Sequence, residues 1–215
     1  MAPAVKPYII VSMVTLTTSE ARSPWQEGHF IGGHPVLDLT NTVFDRINPA
    51  EDGELIKSPS DVLTWCVSAG LMDEVPSLPE AAASGLVADV QAVREHVWAV
   101  FNAVAHGEAV PAESFGALLE RAGAGVRAGH VQQIDATLDR VTADWTAPGV
   151  IPAFLALLAV HAVFALPAER VRACGRCGWL FQDSSRGGRR RWCSMSTCGN
   201  REKARRHRQV ERAAG

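Results

Sequence analysis

The chain has 215 residues, of which 47% are hydrophobic and 20% are charged, a balance typical of folded globular proteins that excludes disorder throughout. Its net charge of −2 conceals an asymmetry, because residues 1–168 hold 8 Lys or Arg against 19 Asp or Glu, a net of −11, whereas residues 169–215 hold 13 against 4, a net of +9. A basic segment on an acidic body is typical of a module that meets phosphate groups, although a solvated arginine tail without a partner has the same composition.

The N-terminal segment shows no targeting signal. The apolar run from Tyr8 to Leu16 is interrupted by Ser and Thr, and no small-residue cleavage site follows it. No apolar run approaches the roughly 20 residues that a membrane-spanning helix requires. We therefore expect residues 1–24 to be a poorly ordered extension, with Met13 as an alternative start, and we expect the protein to be cytoplasmic.

Residues 25–167 are predicted to form one domain that begins with a turn and a capped helix. Glycine turns mixed with a short apolar run between Trp25 and Val43 favour a strand or turn leading into a helix. Ser58, followed by Pro59 and an acidic residue at the third helical position, is a typical helix start. This helix is expected to run to about Gly70.

Apolar periodicity predicts three further helices and a hairpin. Apolar residues recur at steps of three and four from Pro79 to His106, which predicts one long amphipathic helix. A second helix is predicted at Ala112–Ala122, and a third, apolar on nearly every side and therefore buried, at Gly149–Leu166. Apolar and polar residues alternate between Val126 and Trp145, most clearly from Thr137 to Trp145, and this pattern predicts a hairpin of two strands.

Residues 168–215 contain four cysteines spaced as CxxC, fifteen intervening residues and CxxxxC, which is close to the spacing of zinc sites. The candidate metal ligands are Cys174, Cys177, Cys193 and Cys198. One tight turn presents two sulfurs to the same ion, and two such turns complete a tetrahedron. A segment this short also needs a metal or disulfides to fold. We therefore expect one structural zinc ion per chain.

Two other interpretations of the cysteines remain open. Disulfides require an oxidising compartment, for which the chain shows no targeting segment. A redox CxxC motif requires a low-pKa cysteine at a helix N-terminus, whereas Cys177 is followed by the strand-like WLF. Cys66 lies alone on an apolar helix and is predicted to be a core residue.

Residues 200–213 contain no glycine or proline, which predicts a basic C-terminal helix. The candidate nucleic-acid contacts are Arg201, Arg205, Arg208 and Arg212 on one stripe of this helix, the cluster Arg189, Arg190 and Arg191 before it, and Asn200. The guanidinium fork suits phosphate oxygens and guanine edges. Asn200 is expected either to pair with adenine or to stabilise the turn after the last cysteine.

At these residues the chain resembles the CGNR zinc-finger family, whose motif stands here at Cys198–Arg201 beside CGWLF, RRWCSM and KARRH. Upstream, GGHPVLDLTNTV resembles the start of the ABATE domain, which commonly precedes this finger and is described as a putative stress-induced transcription regulator. The resemblance implies zinc ligation by the four cysteines and a role in bacterial transcription, with RNA as another suggested target. We expect an α+β fold: a mainly helical N-terminal domain with a small β-hairpin or sheet, then a zinc-ribbon or treble-clef-like finger with a basic helix.

These features predict a DNA-binding transcription regulator in which residues 25–167 sense a ligand or form a homodimer. Few aromatic residues stand beside the arginines to stack on unpaired bases, which favours duplex DNA over RNA. Alternatively, residues 25–167 bind a small molecule or act as an enzyme, His34, Asp38 and Asn41 line the pocket, and the finger is a structural clip. No nucleophile, phosphate-loop or metal-ligand motif organises these three residues, so we expect no catalysis.

Overall fold

The computed structural model describes residues 24–133 and 141–214. Its helices are α1 (Pro35–Thr40), α2 (Pro59–Ser68), α3 (Glu80–Ala83), α4 (Leu86–His106), α5 (Ala112–Arg127), α6 (Val150–Ala165) and α7 (Asn200–Ala214). Its strands form two antiparallel hairpins, β1 (Val131–Gln133) with β2 (Val141–Ala143) and β3 (Val171–Ala173) with β4 (Leu180–Gln182). The predicted α+β class is confirmed, with a mostly helical N-terminal region and a C-terminal helix after the cysteines.

Two predicted features fall wholly or partly outside the described residues. The extension proposed for residues 1–24 precedes them except for its last residue. The predicted strand at Thr137–Trp145 is described only from residue 141 onwards, where β2 lies. The hairpin region was predicted to begin at Val126, but this boundary is wrong because α5 continues to Arg127.

Helix α2 confirms the prediction made from its capping residues. The Ser58 Oγ accepts a hydrogen bond from the Asp61 N–H at 3.2 Å, and the Asp61 carboxylate accepts one from the Ser58 N–H at 2.8 Å. Each residue thereby satisfies a backbone donor that the first helical turn leaves without a partner. Pro59 occupies the first helical position, where no such donor is needed.

The single helix predicted from Pro79 to His106 is instead two helices. Ser84 adopts an extended backbone conformation that ends α3, and α4 begins two residues later. Glycine inside a helix costs about 1 kcal/mol relative to alanine, so the sequence SG at residues 84–85 is a weak point in the predicted helix. The 21-residue α4 is the centre of the fold and packs against α1, α5, α6 and β3.

Helix α6 confirms the predicted apolar helix and is buried along most of its length, although His161 and Phe164 are exposed. Its buried residues include Val150, Ile151, Leu155 and Ala159, which pack with α4 and α5 into the main core. Among the described residues, no helix combines the length and the apolar composition that crossing a membrane requires.

The hairpin of the cysteine-containing segment, formed by β3 and β4, packs directly on the N-terminal helices. Val171 and Leu180 are completely buried in the main core. The next residue of β4, Phe181, points to the opposite face and packs with Trp179 and the four cysteines in a second core. Because β4 carries one side chain into each core, it joins the finger to α1 and α4.

Candidate metal centre and nucleic-acid interface

The four cysteines converge, since their sulfur atoms all lie within 4.8 Å of one another and all four side chains are buried. The sulfurs of Cys177, Cys193 and Cys198 form a triangle with edges of 3.6 to 3.7 Å. A tetrahedron of thiolates around zinc, with metal–sulfur bonds of about 2.3 Å, has edges of about 3.8 Å. The sulfurs are therefore spaced for one tetrahedral ion, and four protein ligands make the site structural rather than catalytic.

The four thiols are close enough to share protons. Hydrogen bonding with Cys174 raises the pKa of Cys177 and of Cys193, whereas the same hydrogen bonds lower the pKa of Cys174. A bound divalent ion replaces the protons and stabilises all four thiolates. Cys66 lies outside this cluster, and burial raises its pKa to about 12, as expected for a core residue.

Two glycines make the turns at the cysteines possible. Gly178 has a φ of +73° and donates its N–H to the Cys174 carbonyl, which closes the first turn. Gly199 lies against the side chain of Met195, and a Cβ on Gly199 would stand 2.7 Å from the Met195 sulfur. A side chain at position 199 would therefore displace the flexible end of Met195.

Residues 41–46 of the N-terminal region hold the first turn of the finger. The Trp179 Nε1 donates to the Val43 carbonyl at 2.6 Å, and the Arg46 N–H donates to the Cys177 carbonyl at 2.9 Å. The side chain of Asn41 forms two hydrogen bonds with the backbone of Leu180. The metal centre and the N-terminal helices therefore share a continuous hydrogen-bonded interface.

A charged network extends this interface onto α4. Arg94 is almost fully buried and forms two hydrogen bonds of 2.7 Å with Glu54. Glu95 receives hydrogen bonds from Arg94 and from Arg46, whose guanidinium also lies 4.9 Å from the centre of the Trp98 ring. Burial alone would raise the pKa of Glu95, but the two arginines hold it below its usual value.

Sequence reasoning missed this network, although one signal was present. Arg94 stands four residues after Val90 and three before Val97, on the apolar stripe of α4. A charged residue at a core-facing position requires a buried partner. The pattern indicates that a partner exists, but it does not identify Glu54, which lies 40 residues earlier.

The three residues suggested as a ligand pocket hold the backbone around α1. The His34 Nδ1 accepts a hydrogen bond from the Val36 N–H at the start of α1, and the Asp38 carboxylate accepts one from the Gly32 N–H at 2.6 Å. Burial, with a smaller contribution from His161, lowers the pKa of His34 to about 4. Burial raises the pKa of Asp38 to about 7. The side chain of Asn41 is hydrogen-bonded to the backbone of Leu180, as described above.

The arginine cluster before Cys193 is divided between internal and exposed residues. The Arg190 guanidinium lies 4.6 Å from the centre of the buried Phe181 ring and donates to the Cys193 carbonyl. Arg189 is exposed and forms no hydrogen bond or ion pair within the described residues. Arg191 is also exposed, and its guanidinium lies 5.3 Å from the centre of the Trp192 ring.

The loop that carries this cluster is held by residues that the sequence did not single out. Arg170 donates to the Ser185 carbonyl at 2.9 Å, and Arg172 donates to the Gly188 carbonyl at 3.2 Å. The buried Asp183 accepts hydrogen bonds from the N–H groups of Ser185 and Arg190. The loop therefore presents Arg189 and Arg191 from a defined backbone.

Helix α7 confirms the predicted basic helix and directs most of its charge outward. Glu202 is buried, whereas every other side chain described for α7 is exposed. Arg205 forms a pair of hydrogen bonds with Glu202, which lowers the pKa of Glu202 to about 2 and neutralises one charge of the predicted stripe. Within the described residues, Arg201, Arg208 and Arg212 form no ion pair. Asn200 is exposed, and its Nδ2 donates to the Ser196 carbonyl at 3.3 Å.

Comparison with known protein families agrees with this geometry. Residues 170–210 match the CGNR zinc finger, and residues 33–169 match ABATE, described as a putative stress-induced transcription regulator. No curated protein matches the chain. The finger match and the converging sulfurs identify the cysteine cluster as the site of one structural zinc ion. Because the ABATE match spans more than half of the chain, this protein belongs to the ABATE family and carries a CGNR zinc finger.

Proposed function

We propose that this protein is a DNA-binding transcription regulator and that α7 contacts DNA phosphates through Arg201, Arg208 and Arg212. The supporting observation is that these guanidinium groups are exposed on one stripe of a helix that buries only Glu202 among its described side chains. A basic helix without an apolar docking face is suited to a polyanionic partner. The ABATE family description supplies the regulatory part of the proposal.

Duplex DNA is the favoured ligand because of the shape of this helix. A 15-residue helix is about 22 Å long, and the major groove is about 12 Å wide and admits an α-helix. The deep, narrow major groove of duplex RNA does not admit side chains in this way. An RNA partner would instead be contacted at unpaired segments.

Charge-matched variants test the assignment of α7. Arg208→Ala/Arg212→Ala removes two exposed charges from the stripe, whereas Lys57→Ala/Arg127→Ala removes two exposed charges from the N-terminal region. With a labelled duplex, the first pair is expected to reduce the slope of log K against log salt by about 2. The second pair is expected to leave the slope unchanged. Equal effects of the two pairs would remove α7 from the interface.

The proposal includes a homodimer formed through α5 and α6. Phe164 is 78% exposed, and its ring packs edge-on against Phe115. Leu119 and Val126 are about half exposed, and they lie on the same face of α5 as Phe115. Exposed apolar patches often mark protein–protein contacts. Phe164→Ser is expected to convert a dimer into a monomer in light scattering, and a wild-type monomer at all concentrations would exclude this part.

A further inference from the structure

We propose that Arg191, Trp192 and Met195 form a platform that stacks on an unpaired nucleobase. This inference rests on the proposed nucleic-acid binding and specifies a second contact, made to a base rather than to phosphate. The ligand class is then DNA with a single-stranded segment, such as an overhang or a locally opened duplex. The platform lies beside the start of α7, so both contacts are available to one strand.

The platform is built on the metal centre. Trp192 is half-buried, and its ring lies close to the backbone of both cysteine turns, within 3.3 Å of the Cβ positions that Gly175 and Gly199 lack. The Gly175 N–H donates to the Arg191 carbonyl, which fixes the backbone before the ring. The zinc-bound turns therefore set the position of this aromatic side chain.

Arg191 and Met195 supply the exposed surface of the platform. The Arg191 guanidinium lies over the Trp192 ring, and because Arg191 is exposed, its outer face is accessible. Met195 is 55% exposed, and its sulfur packs against Gly199 at the other end of the site. A planar cation and a polarisable thioether each offer a surface on which an unpaired base can stack, and neither requires a particular base.

Neighbouring residues show that this arrangement differs from a structural cation–π pair. Arg190 also stacks on an aromatic ring, that of Phe181, but this ring is fully buried. The Arg190 guanidinium also donates a hydrogen bond to the Cys193 carbonyl. In the described residues no acidic side chain pairs with Arg191. Arg191 thus retains its charge and one accessible face, which are the properties that a stacking contact to a polyanion requires.

The experiment compares three labelled ligands of equal length: a strand of 15 thymidines, a strand of 15 abasic nucleotides and a 15-base-pair duplex. Both single strands carry phosphates, and only the first carries bases. The zinc-loaded full chain is expected to bind the thymidine strand at least fivefold more tightly than the abasic strand. Equal affinities would overturn the platform while leaving phosphate binding intact. No salt-dependent binding to any of the three would instead overturn the proposed function.

Variants locate the base contact. Arg191→Lys keeps the charge but loses the guanidinium plane, and Met195→Ala removes the thioether. Each is expected to weaken binding of the thymidine strand by about fivefold and to leave the abasic strand and the zinc content unchanged. The matched controls are Arg186→Lys and Val210→Ala, both at exposed positions, and they are expected to change neither affinity. Loss of the thymidine preference in the controls, or its retention in both platform variants, would contradict the assignment.

Discussion

Asn41 and Leu180 are 139 residues apart in the chain and exchange two hydrogen bonds, each of 2.9 Å. The Asn41 Nδ2 donates to the Leu180 carbonyl, and its Oδ1 accepts from the Leu180 N–H. The side-chain amide thus satisfies both backbone groups of a fully buried residue, as a neighbouring strand would. This contact joins the asparagine of the ABATE-like motif to the strand that follows the first zinc turn.

Asn41→Ala is expected to destabilise the whole protein. The substitution leaves the buried N–H and carbonyl of Leu180 without partners, which costs about 3 kcal/mol. Asn48→Ala is the matched control, because Asn48 is exposed, and it is expected to change stability by less than about 0.5 kcal/mol. Urea unfolding of the two variants measures the difference. Similar unfolding free energies for both would show that the Asn41 contact does not stabilise the fold.

The zinc ion is expected to stabilise the N-terminal helices as well as the finger. Cys198→Ser should lower the metal content below one zinc per chain, and it should lower the melting temperature followed by the helical signal of the whole protein. The reason is that zinc binding contributes on the order of 10 kcal/mol to such fingers, and β4 lies in both cores. Cys66→Ala is the control, with one zinc retained. A helical transition that is indifferent to metal loss would show that the two parts unfold independently.

His34 and Asp38 are expected to oppose each other in the pH dependence of stability. The pKa of His34 is about 4 in the folded protein, below its ordinary value. The contribution of His34 to the free energy of unfolding therefore increases as pH rises from about 4 to 6.5. The pKa of Asp38 is about 7 when folded, above its ordinary value, so its contribution is fully present below about pH 4 and is lost as pH rises to 7.

Single variants separate these two contributions. Relative to wild type, His34→Asn, which keeps a capping acceptor, should make stability fall more steeply between pH 4 and 6.5. Asp38→Asn should make it rise more steeply between pH 4 and 7. Denaturant midpoints at several pH values supply the measurement. Identical pH profiles in all three proteins would refute both shifts.

Glu54 is expected to matter because it neutralises the buried Arg94. Glu54→Ala leaves that guanidinium with Glu95 as its remaining acidic partner, at a cost of about 3 kcal/mol. Glu51→Ala removes an exposed carboxylate from the same loop and serves as the control. In a thermal melt, only the Glu54 variant should unfold at a clearly lower temperature. A loss confined to the control, or shared equally, would exclude the ion pair as the cause.

The sequence predicted local features better than long-range contacts. The cap at Ser58, the apolar α6, the cysteine cluster and the basic α7 follow from patterns that each lie within one short segment of the chain, and all four are confirmed. Leu180, the partner of Asn41, lies 139 residues away, and Glu54, the partner of Arg94, lies 40 residues away. A local sequence pattern therefore cannot identify these partners.

The same limitation applies to the candidate interface. Charge and helical period placed the arginine stripe on one side of α7, and the i, i+3 spacing of Glu202 and Arg205 already permits the ion pair that neutralises Arg205. They could not show that Arg190 packs on Phe181 while its neighbour Arg191 stays exposed. This distinction depends on how the zinc turns orient successive side chains.

The salt dependence of duplex DNA binding by the wild-type protein tests the proposed role of the exposed arginines. Five of the arginines predicted to contact nucleic acid are exposed and form no ion pair within the described residues: Arg189, Arg191, Arg201, Arg208 and Arg212. If three to five of them meet phosphates, log K should fall against log salt with a slope between about −3 and −5. Such a slope, in protein that carries one zinc per chain, is the predicted result. A slope near zero, or no binding at low salt by the zinc-loaded protein, would contradict DNA binding through these arginines.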